Sequence, residues 1–183
     1  MQKGLVIVFT GEGKGKTSAA LGIALRASGH AMKVTMVQFL KSPMQGGEAT
    51  AIEKMRPAIQ LHSLGKGFVV SCDKETGGLR DKYPFSEHQK AAAYALDQAR
   101  EQMFSRTCDI LILDEINNAI SLGLIDIQAV LDLLKSKPPE LHVVCTGRDA
   151  HSDLIALADM VTEMHPIKHP YTSGIQAQKG IDY

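Results

Sequence analysis

The sequence of 183 residues lacks tryptophan, has few cysteines and carries no excess charge of either sign. Its three cysteines, Cys72, Cys108 and Cys145, are odd in number and form no C-x-x-C pair, which favours reduced thiols over a disulfide framework. No apolar run approaches the roughly 18 residues that a membrane-spanning helix needs. We therefore expect a cytoplasmic protein that has no membrane partner.

The charge balance excludes one further class of partner. Lys and Arg number 20 and Asp and Glu also number 20, so the formal net charge is zero. Proteins that coat the phosphates of nucleic acids carry a strongly basic domain or face. We expect no nucleic-acid partner, and any site for an anion must be local. A chain of this length can bury about 70% of its surface in one core, which predicts a single domain over residues 1–183.

Short β-branched runs alternate with longer stretches of helical pattern. The predicted strands span residues 5–9, 34–39, 59–63, 110–113 and 141–145, with a less strongly marked sixth at 160–164. The predicted helices span residues 17–28, 48–55, 86–104, 126–136 and 152–157. This alternation favours an α/β fold with a mostly parallel sheet of five to six strands and helices on both faces.

A loop rich in glycine and lysine, TGEGKGKTS at residues 10–18, joins the first predicted strand to the first predicted helix. Its glycines allow the backbone to curl so that N–H groups point inward, and the helix N-terminus adds partial positive charge. Lys16 can reach phosphate oxygens, and the Thr17 hydroxyl is placed to ligate Mg²⁺. The residues that we expect to hold a nucleotide triphosphate are Gly11, Glu12, Gly13, Lys14, Gly15, Lys16, Thr17 and Ser18.

This loop is a variant of the strict Walker A pattern G-x-x-x-x-G-K-[ST]. The strict pattern has glycine at the first position, where this chain has Thr10, and Lys14 adds a second cation. A tight strand-to-helix turn would explain the glycines alone, but it does not explain the two lysines. We therefore interpret the loop as a phosphate site.

A second apolar strand ends in two carboxylates, Asp114 and Glu115. Ligands of open α/β sheets bind at the carboxyl ends of the strands, so these side chains should face the same crevice as Thr17. Mg²⁺ needs one or two carboxylates in addition to a hydroxyl and phosphates, and we predict Thr17, Asp114 and Glu115 as its ligands. The carboxylates can also cap the following helix. Both motifs alone favour an NTPase or small-molecule kinase, with Glu115 orienting a water or an acceptor hydroxyl.

Further segments narrow this interpretation. They read VQFLK at 37–41, GGE at 46–48, LGKGF at 64–68, LDE at 113–115, TGR at 146–148 and GIDY at 180–183. Together with the loop they resemble the ATP:corrinoid adenosyltransferases, the cob(I)alamin adenosyltransferases of the cobalamin pathway, over nearly the whole chain. The resemblance implies a P-loop NTPase-like fold and transfer of the 5′-deoxyadenosyl group of ATP to Co(I) of a corrinoid, with release of triphosphate.

The resemblance also implies roles for individual residues. Lys16, Thr17 and Glu115 would be catalytic, with Thr17 and Glu115 on Mg²⁺ and Asp114 supporting them. Beyond the loop, the residues implied for the substrates are Gln38, Lys41, Glu48, Phe68 and Arg148. A surface salt bridge for Arg148, and a solvated loop position for Gln38, Lys41 and Glu48, are the alternatives.

In the resembling family an aromatic pair closes over the lower face of cobalt. Phe68 is the first member of such a pair here, whereas Val70 stands where the second is usually tryptophan. Asn117 and Asn118 likewise stand where relatives tend to carry tyrosines. These departures keep a non-catalytic corrinoid or nucleotide carrier as an alternative. As partners, the resemblance implies ATP, a corrinoid, an electron donor such as a reduced flavoprotein, and a second copy of the chain in a homodimer.

Overall fold

The computed structural model describes residues 3–42, 47–67, 69 and 81–181. Within these residues the strands are β1 (Val6–Thr10), β2 (Val34–Gln38), β3 (Ile59–Ser63), β4 (Ile110–Asp114), β5 (His142–Thr146) and β6 (Met160–Glu163). The α-helices are α1 (Lys16–Ser28), α2 (Gly47–Lys54), α3 (Phe85–Ser105), α4 (Ile116–Ser121), α5 (Ile127–Lys135) and α6 (Ser152–Leu157). A short 3₁₀ helix covers Pro170–Ser173.

The strands form one sheet in the order β3-β2-β4-β5-β1-β6, and every neighbouring pair is parallel. Alternate residues of each strand point to opposite faces. Val6 and Val8 of β1 pack with α3 to α6, whereas Ile7 and Phe9 pack with α1 and α2. The predicted parallel α/β fold with helices on both faces is therefore confirmed.

Coverage of both faces explains why the central strands read as continuous apolar runs. All five residues of β1, of β2 and of β4 are buried. β6 lies at the edge of the sheet and all four of its residues are exposed, which accounts for its weaker pattern. No helix in the described part of the chain is long and apolar enough to cross a membrane.

The sequence analysis missed one helix. α4 begins at Ile116, immediately after the N-cap residue Glu115, and has only six residues. A helix of fewer than two turns shows too little periodicity to be recognised, and no turn residue separates it from β4. The remaining predicted elements are present, with boundaries that differ by at most one residue.

The first strand requires glycine just before it. Gly4 is buried, donates its N–H to the Pro139 carbonyl at 2.7 Å, and lies so close to the chain before β5 that an added Cβ would be 2.1 Å from the Leu141 oxygen. The β1–β5 pairing therefore depends on the missing side chain at this position.

We expect Gly4→Ala to lower the free energy of unfolding by about 1–3 kcal/mol, because the backbone must shift to admit the methyl group. Gly22→Ala is the matched control, since a Cβ there meets nothing within 4 Å. In the middle of α1 it should raise the free energy by about 0.5–1 kcal/mol. Urea unfolding measures both values, and equal effects at the two positions would contradict this packing.

Candidate active site

Polar side chains gather at the carboxyl ends of β1, β2, β4 and β5, where ligands of parallel sheets bind. The loop between β1 and α1 forms one wall of this crevice. Gly11 (φ 92°) and Gly15 (φ 107°) take left-handed conformations that side chains disfavour. These two glycines turn the chain from the strand into the helix.

Gly13 has a different reason to be glycine. Its N–H donates to the Met164 carbonyl at 2.7 Å, and an added Cβ would lie 2.8 Å from the same carbonyl group. The prediction that loop amides point inward is therefore wrong for this amide, which bonds to the residue after β6. A contact between backbone atoms leaves no signal in the sequence, so sequence reasoning missed Met164 as the support of the loop.

The Lys16 side chain lies inside the loop. It is 9% exposed, and its Nζ donates to the carbonyls of Gly11 and Gly13, at 2.5 Å and 2.7 Å. Burial lowers the pKa of Lys16, while the nearby negative charge of Glu115 acts in the opposite direction. The loop thus encloses an ammonium group.

The Asp114 carboxylate joins the elements of the site. It is fully buried; its Oδ1 accepts hydrogen bonds from the hydroxyls of Thr17 at 2.8 Å and Thr146 at 2.7 Å. Its Oδ2 accepts one from Gln38 Nε2 at 3.1 Å. The predicted proximity of Asp114 and Thr17 is present, and Thr146 is a site residue that the sequence analysis did not single out.

Glu115 differs in environment from its neighbour. Burial and the adjacent negative charge of Asp114 raise the pKa of Glu115 to about 7, although Lys16 acts in the opposite direction. Its backbone adopts φ 65° and its N–H donates to Thr146 Oγ1 at 3.0 Å. It occupies the N-cap position of α4, but its side chain makes no capping hydrogen bond.

Two further predicted residues pair with each other at the side of the crevice. Lys41 Nζ donates to Glu48 Oε1 and forms an ion pair with it. Burial tends to raise the pKa of Glu48, but hydrogen bonds to its carboxylate and the positive charge of Lys41 together outweigh burial, and the pKa lies below its ordinary value. Gln38 also hydrogen-bonds to Glu48, and its Oε1 accepts from Ser63 Oγ at 2.7 Å. A polar network therefore runs from Asp114 to the end of β3.

Arg148 follows β5 and reaches the phosphate loop, where its Nη1 lies 3.3 Å from Glu12 Oε2. Lys14 and Ser18 are exposed on the same loop. Phe68, the predicted corrinoid contact, lies outside the described residues. The structure therefore brings the loop, Thr17, Asp114 and Glu115 together, with Gln38, Lys41, Glu48 and Arg148 at the margins.

The described residues hold no group of three or more His, Cys, Asp or Glu side chains arranged for a metal ion. The oxygen atoms that could coordinate a metal ion are the Thr17 hydroxyl and the Asp114 carboxylate, and the Glu115 carboxylate lies beside them. Such a set suits a cation whose other ligands come from a substrate and water.

A parallel sheet, a glycine-rich loop that encloses a lysine, and a carboxylate at the end of a neighbouring strand define a P-loop α/β protein. Two solved structures share the fold. The flagellar accessory protein FlaH from Methanocaldococcus jannaschii aligns with a TM-score of 0.56 at 13% identity, covering 89% of this chain and 72% of that one. A KaiC-like protein from Pyrococcus horikoshii aligns with a TM-score of 0.50 at 13% identity, covering 89% and 74%.

Sequence comparison identifies the family. The family model described as ATP:corrinoid adenosyltransferase BtuR/CobO/CobP matches residues 2–183. Relatives named corrinoid adenosyltransferase come from Sinorhizobium (41% identity, 100% of this chain and 81% of the relative), Pseudomonas aeruginosa (36%, 100% and 85%) and Escherichia coli K12 (33%, 100% and 87%). The chain belongs to the ATP:corrinoid adenosyltransferase family. It is a transferase with ATP and a corrinoid as its substrates.

The raised pKa of Glu115 predicts a pH-dependent stability. In the unfolded chain this carboxyl ionises near pH 4.5, whereas in the folded protein it ionises near 7. Between these values the folded state binds the additional proton, so the contribution of Glu115 to the unfolding free energy falls as the pH rises from about 5 to about 7.5.

Glu115→Gln removes this titration. We expect its unfolding free energy, relative to the original protein, to increase by at most about 3 kcal/mol across that pH range. Urea unfolding of protein free of metal and nucleotide, repeated at several pH values, measures the difference. Parallel stability curves for the two proteins would show that burial does not suppress the ionisation of Glu115.

Proposed function

We propose that the enzyme transfers the 5′-deoxyadenosyl group of ATP to Co(I) of a corrinoid and releases inorganic triphosphate. The observation that carries the proposal is the position of Lys16, whose ammonium group is buried within the phosphate loop beside Thr17 and Asp114. This arrangement concentrates positive charge and hydrogen-bond donors on the polyphosphate. It supports a reaction in which the polyphosphate departs as one unit.

The proposed step is a displacement at carbon C5′. An electron pair of Co(I) forms the cobalt–carbon bond, the bond between C5′ and the phosphate oxygen breaks, and its electron pair leaves with the triphosphate. No proton is transferred, so the protein needs no general base. Lys16 and the loop neutralise the charge that develops on the leaving group, and the alignment of cobalt, C5′ and oxygen lowers the entropic barrier.

The proposal includes Mg²⁺, which the donor set of the site fits. Thr17 and Glu115 would hold it together with phosphate oxygens and water, in keeping with the preference of Mg²⁺ for few protein ligands. When bound, the ion supplies further neutralisation of the triphosphate charge. Thr17 and Glu115 are the proposed ligands, and Asp114 supports them through its hydrogen bond to Thr17.

For the corrinoid we propose the neighbourhood of β3. A pocket of about 380 Å³ lies there, lined by residues that include Ser63, Gly65, Tyr83 and Tyr94. Ser63 belongs to the polar network that leads through Gln38 to Asp114, so the pocket adjoins the phosphate site. Only part of a macrocycle would enter a pocket of this size, with the remainder lying above it.

Family resemblance supplies the remaining parts of the proposal. Phe68 would contact the lower face of the corrinoid, and Gln38, Lys41, Glu48 and Arg148 would border the nucleotide. Because the reaction consumes Co(I), an electron donor such as a reduced flavoprotein is required upstream. A homodimer and a cytoplasmic location are proposed from the resemblance alone.

The products distinguish this reaction from the alternatives. With ATP, Mg²⁺ and chemically reduced cobalamin, we expect triphosphate in the ³¹P NMR spectrum and the visible absorption of a light-sensitive cobalt–carbon bond, in equal amounts. ADP or orthophosphate in place of triphosphate would instead indicate an NTPase or kinase. Bound but unaltered corrinoid under strong reductant would indicate a carrier.

Lys16→Ala should lower kcat/KM by about 10²–10³, since removal of one preorganised charge or donor typically costs about 3–4 kcal/mol of transition-state stabilisation. Lys135→Ala, at the exposed end of α5, is the matched control and should leave the rate unchanged. Steady-state adenosylation kinetics measure both variants. Unaltered turnover of Lys16→Ala would refute the role of this residue.

A further inference from the structure

The segment after β5, residues 147–150, carries Arg148 and is held from two sides. We call it the arginine segment. Its ion pair with Glu12 does not explain this attachment, because the two side chains are 55% and 57% exposed. Ion pairs as exposed as this one contribute little stability. Hydrogen bonds to the backbone groups of the segment hold it in place instead.

The first side is formed by α4. Asn117 Nδ2 donates to the Gly147 carbonyl at 3.1 Å, and Asn118 Oδ1 accepts from the Arg148 N–H at 2.7 Å. That carbonyl and that N–H belong to the same peptide group. Two consecutive side chains therefore hold one peptide group at both of its polar ends, which fixes the direction in which the Arg148 side chain leaves the backbone.

The conformation of the arginine segment requires such support. Gly147 has φ 129° and Asp149 has φ 52°, so Arg148 stands between two residues of left-handed backbone. A Cβ on Gly147 would lie 2.4 Å from Asn118 Oδ1, so that α4 approaches as closely as glycine permits. Strained backbone of this kind persists where its surroundings determine it, and it concentrates at functional sites.

The second side is formed by the end of β1. The Ala150 N–H donates to Thr10 Oγ1 at 3.1 Å, and the Gly147 N–H donates to the Phe9 carbonyl at 3.2 Å. Thr10 is the position where the strict Walker A pattern has glycine. The residue that departs from the motif thus supplies the hydroxyl that ties the arginine segment to the phosphate loop.

We propose that Asn118 and Thr10 are positioning residues that hold Arg148 against the phosphate loop, where its guanidinium group binds the triphosphate of ATP. When ATP binds, its phosphate oxygens replace Glu12 as the partner of the Arg148 guanidinium group. The proposal rests on the proposed function only in taking ATP as the ligand of the loop. It adds Arg148, beside Glu12, as a second fixed cation next to the phosphate loop.

A double-mutant cycle on nucleotide binding tests the coupling. The dissociation constants of MgATP and of inorganic triphosphate are measured by calorimetry for Arg148→Ala, Asn118→Leu and the double variant, with the thermal midpoint recorded to verify folding. We expect each single variant to weaken both ligands by about tenfold, and the double variant to be no weaker than Arg148→Ala within about twofold. Ser121→Ala on the same helix is the control, with unchanged affinity.

If the losses of affinity caused by the two single substitutions multiply in the double variant, the proposal is overturned, because Asn118 then acts independently of Arg148. Full affinity of Arg148→Ala would overturn it as well. Both results concern binding alone, so they are distinguishable from a failure of adenosyl transfer, which would appear as the absence of a cobalt–carbon bond with the original protein.

Thr10 offers a series that preserves the shape of a buried side chain. Thr10→Val removes the hydroxyl at nearly constant volume, whereas Thr10→Ser keeps it. We expect Thr10→Val to weaken triphosphate binding by about three- to tenfold and Thr10→Ser to restore it, with no further loss when Thr10→Val is combined with Arg148→Ala. Equal affinities for the Val and Ser variants would contradict a positioning role for the hydroxyl.

Discussion

The buried carboxylate of Asp114 is the group on which the rest of the site depends. A carboxylate without access to water is stable only when its oxygens are hydrogen-bonded. Three side chains meet this requirement, and they come from three other parts of the fold: Thr17 from the start of α1, Gln38 from the end of β2 and Thr146 from the end of β5. One buried group therefore sets the position of the loop relative to the sheet.

This constraint separates two neighbouring carboxylates into different roles. Asp114 is surrounded by hydrogen-bond donors, whereas Glu115 is half-buried beside that negative charge and its pKa is raised to about 7. Lys16, in the phosphate loop, is the positive charge that acts most strongly to lower the pKa of Glu115. The site thus has its positive charge in the loop and its titratable acid directly after β4.

The features of the site that depend on residues adjacent in the sequence were predictable. The features that depend on contacts between residues distant in the sequence were missed. The loop and the end of β4 were predictable because each motif lies within one strand and the turn that follows it. The contact of Gly13 with Met164 and the hydrogen bond between the Arg148 N–H and Asn118 Oδ1 join segments far apart in the chain. In each contact at least one partner is a backbone group, which any residue type carries, so the sequence pattern does not reveal it. The role of Phe68, outside the described residues, remains a prediction.

The central claim is that the phosphate loop binds the triphosphate while C5′ faces the acceptor. A crystal structure of the enzyme with MgATP and a Co(II) corrinoid, which does not react without a reductant, tests it most directly. The account predicts all three phosphates against residues 11–17, with C5′ directed toward the cobalt on the side of β3. Phosphates bound away from this loop, or a C5′ enclosed by protein and out of reach of cobalt, would contradict it.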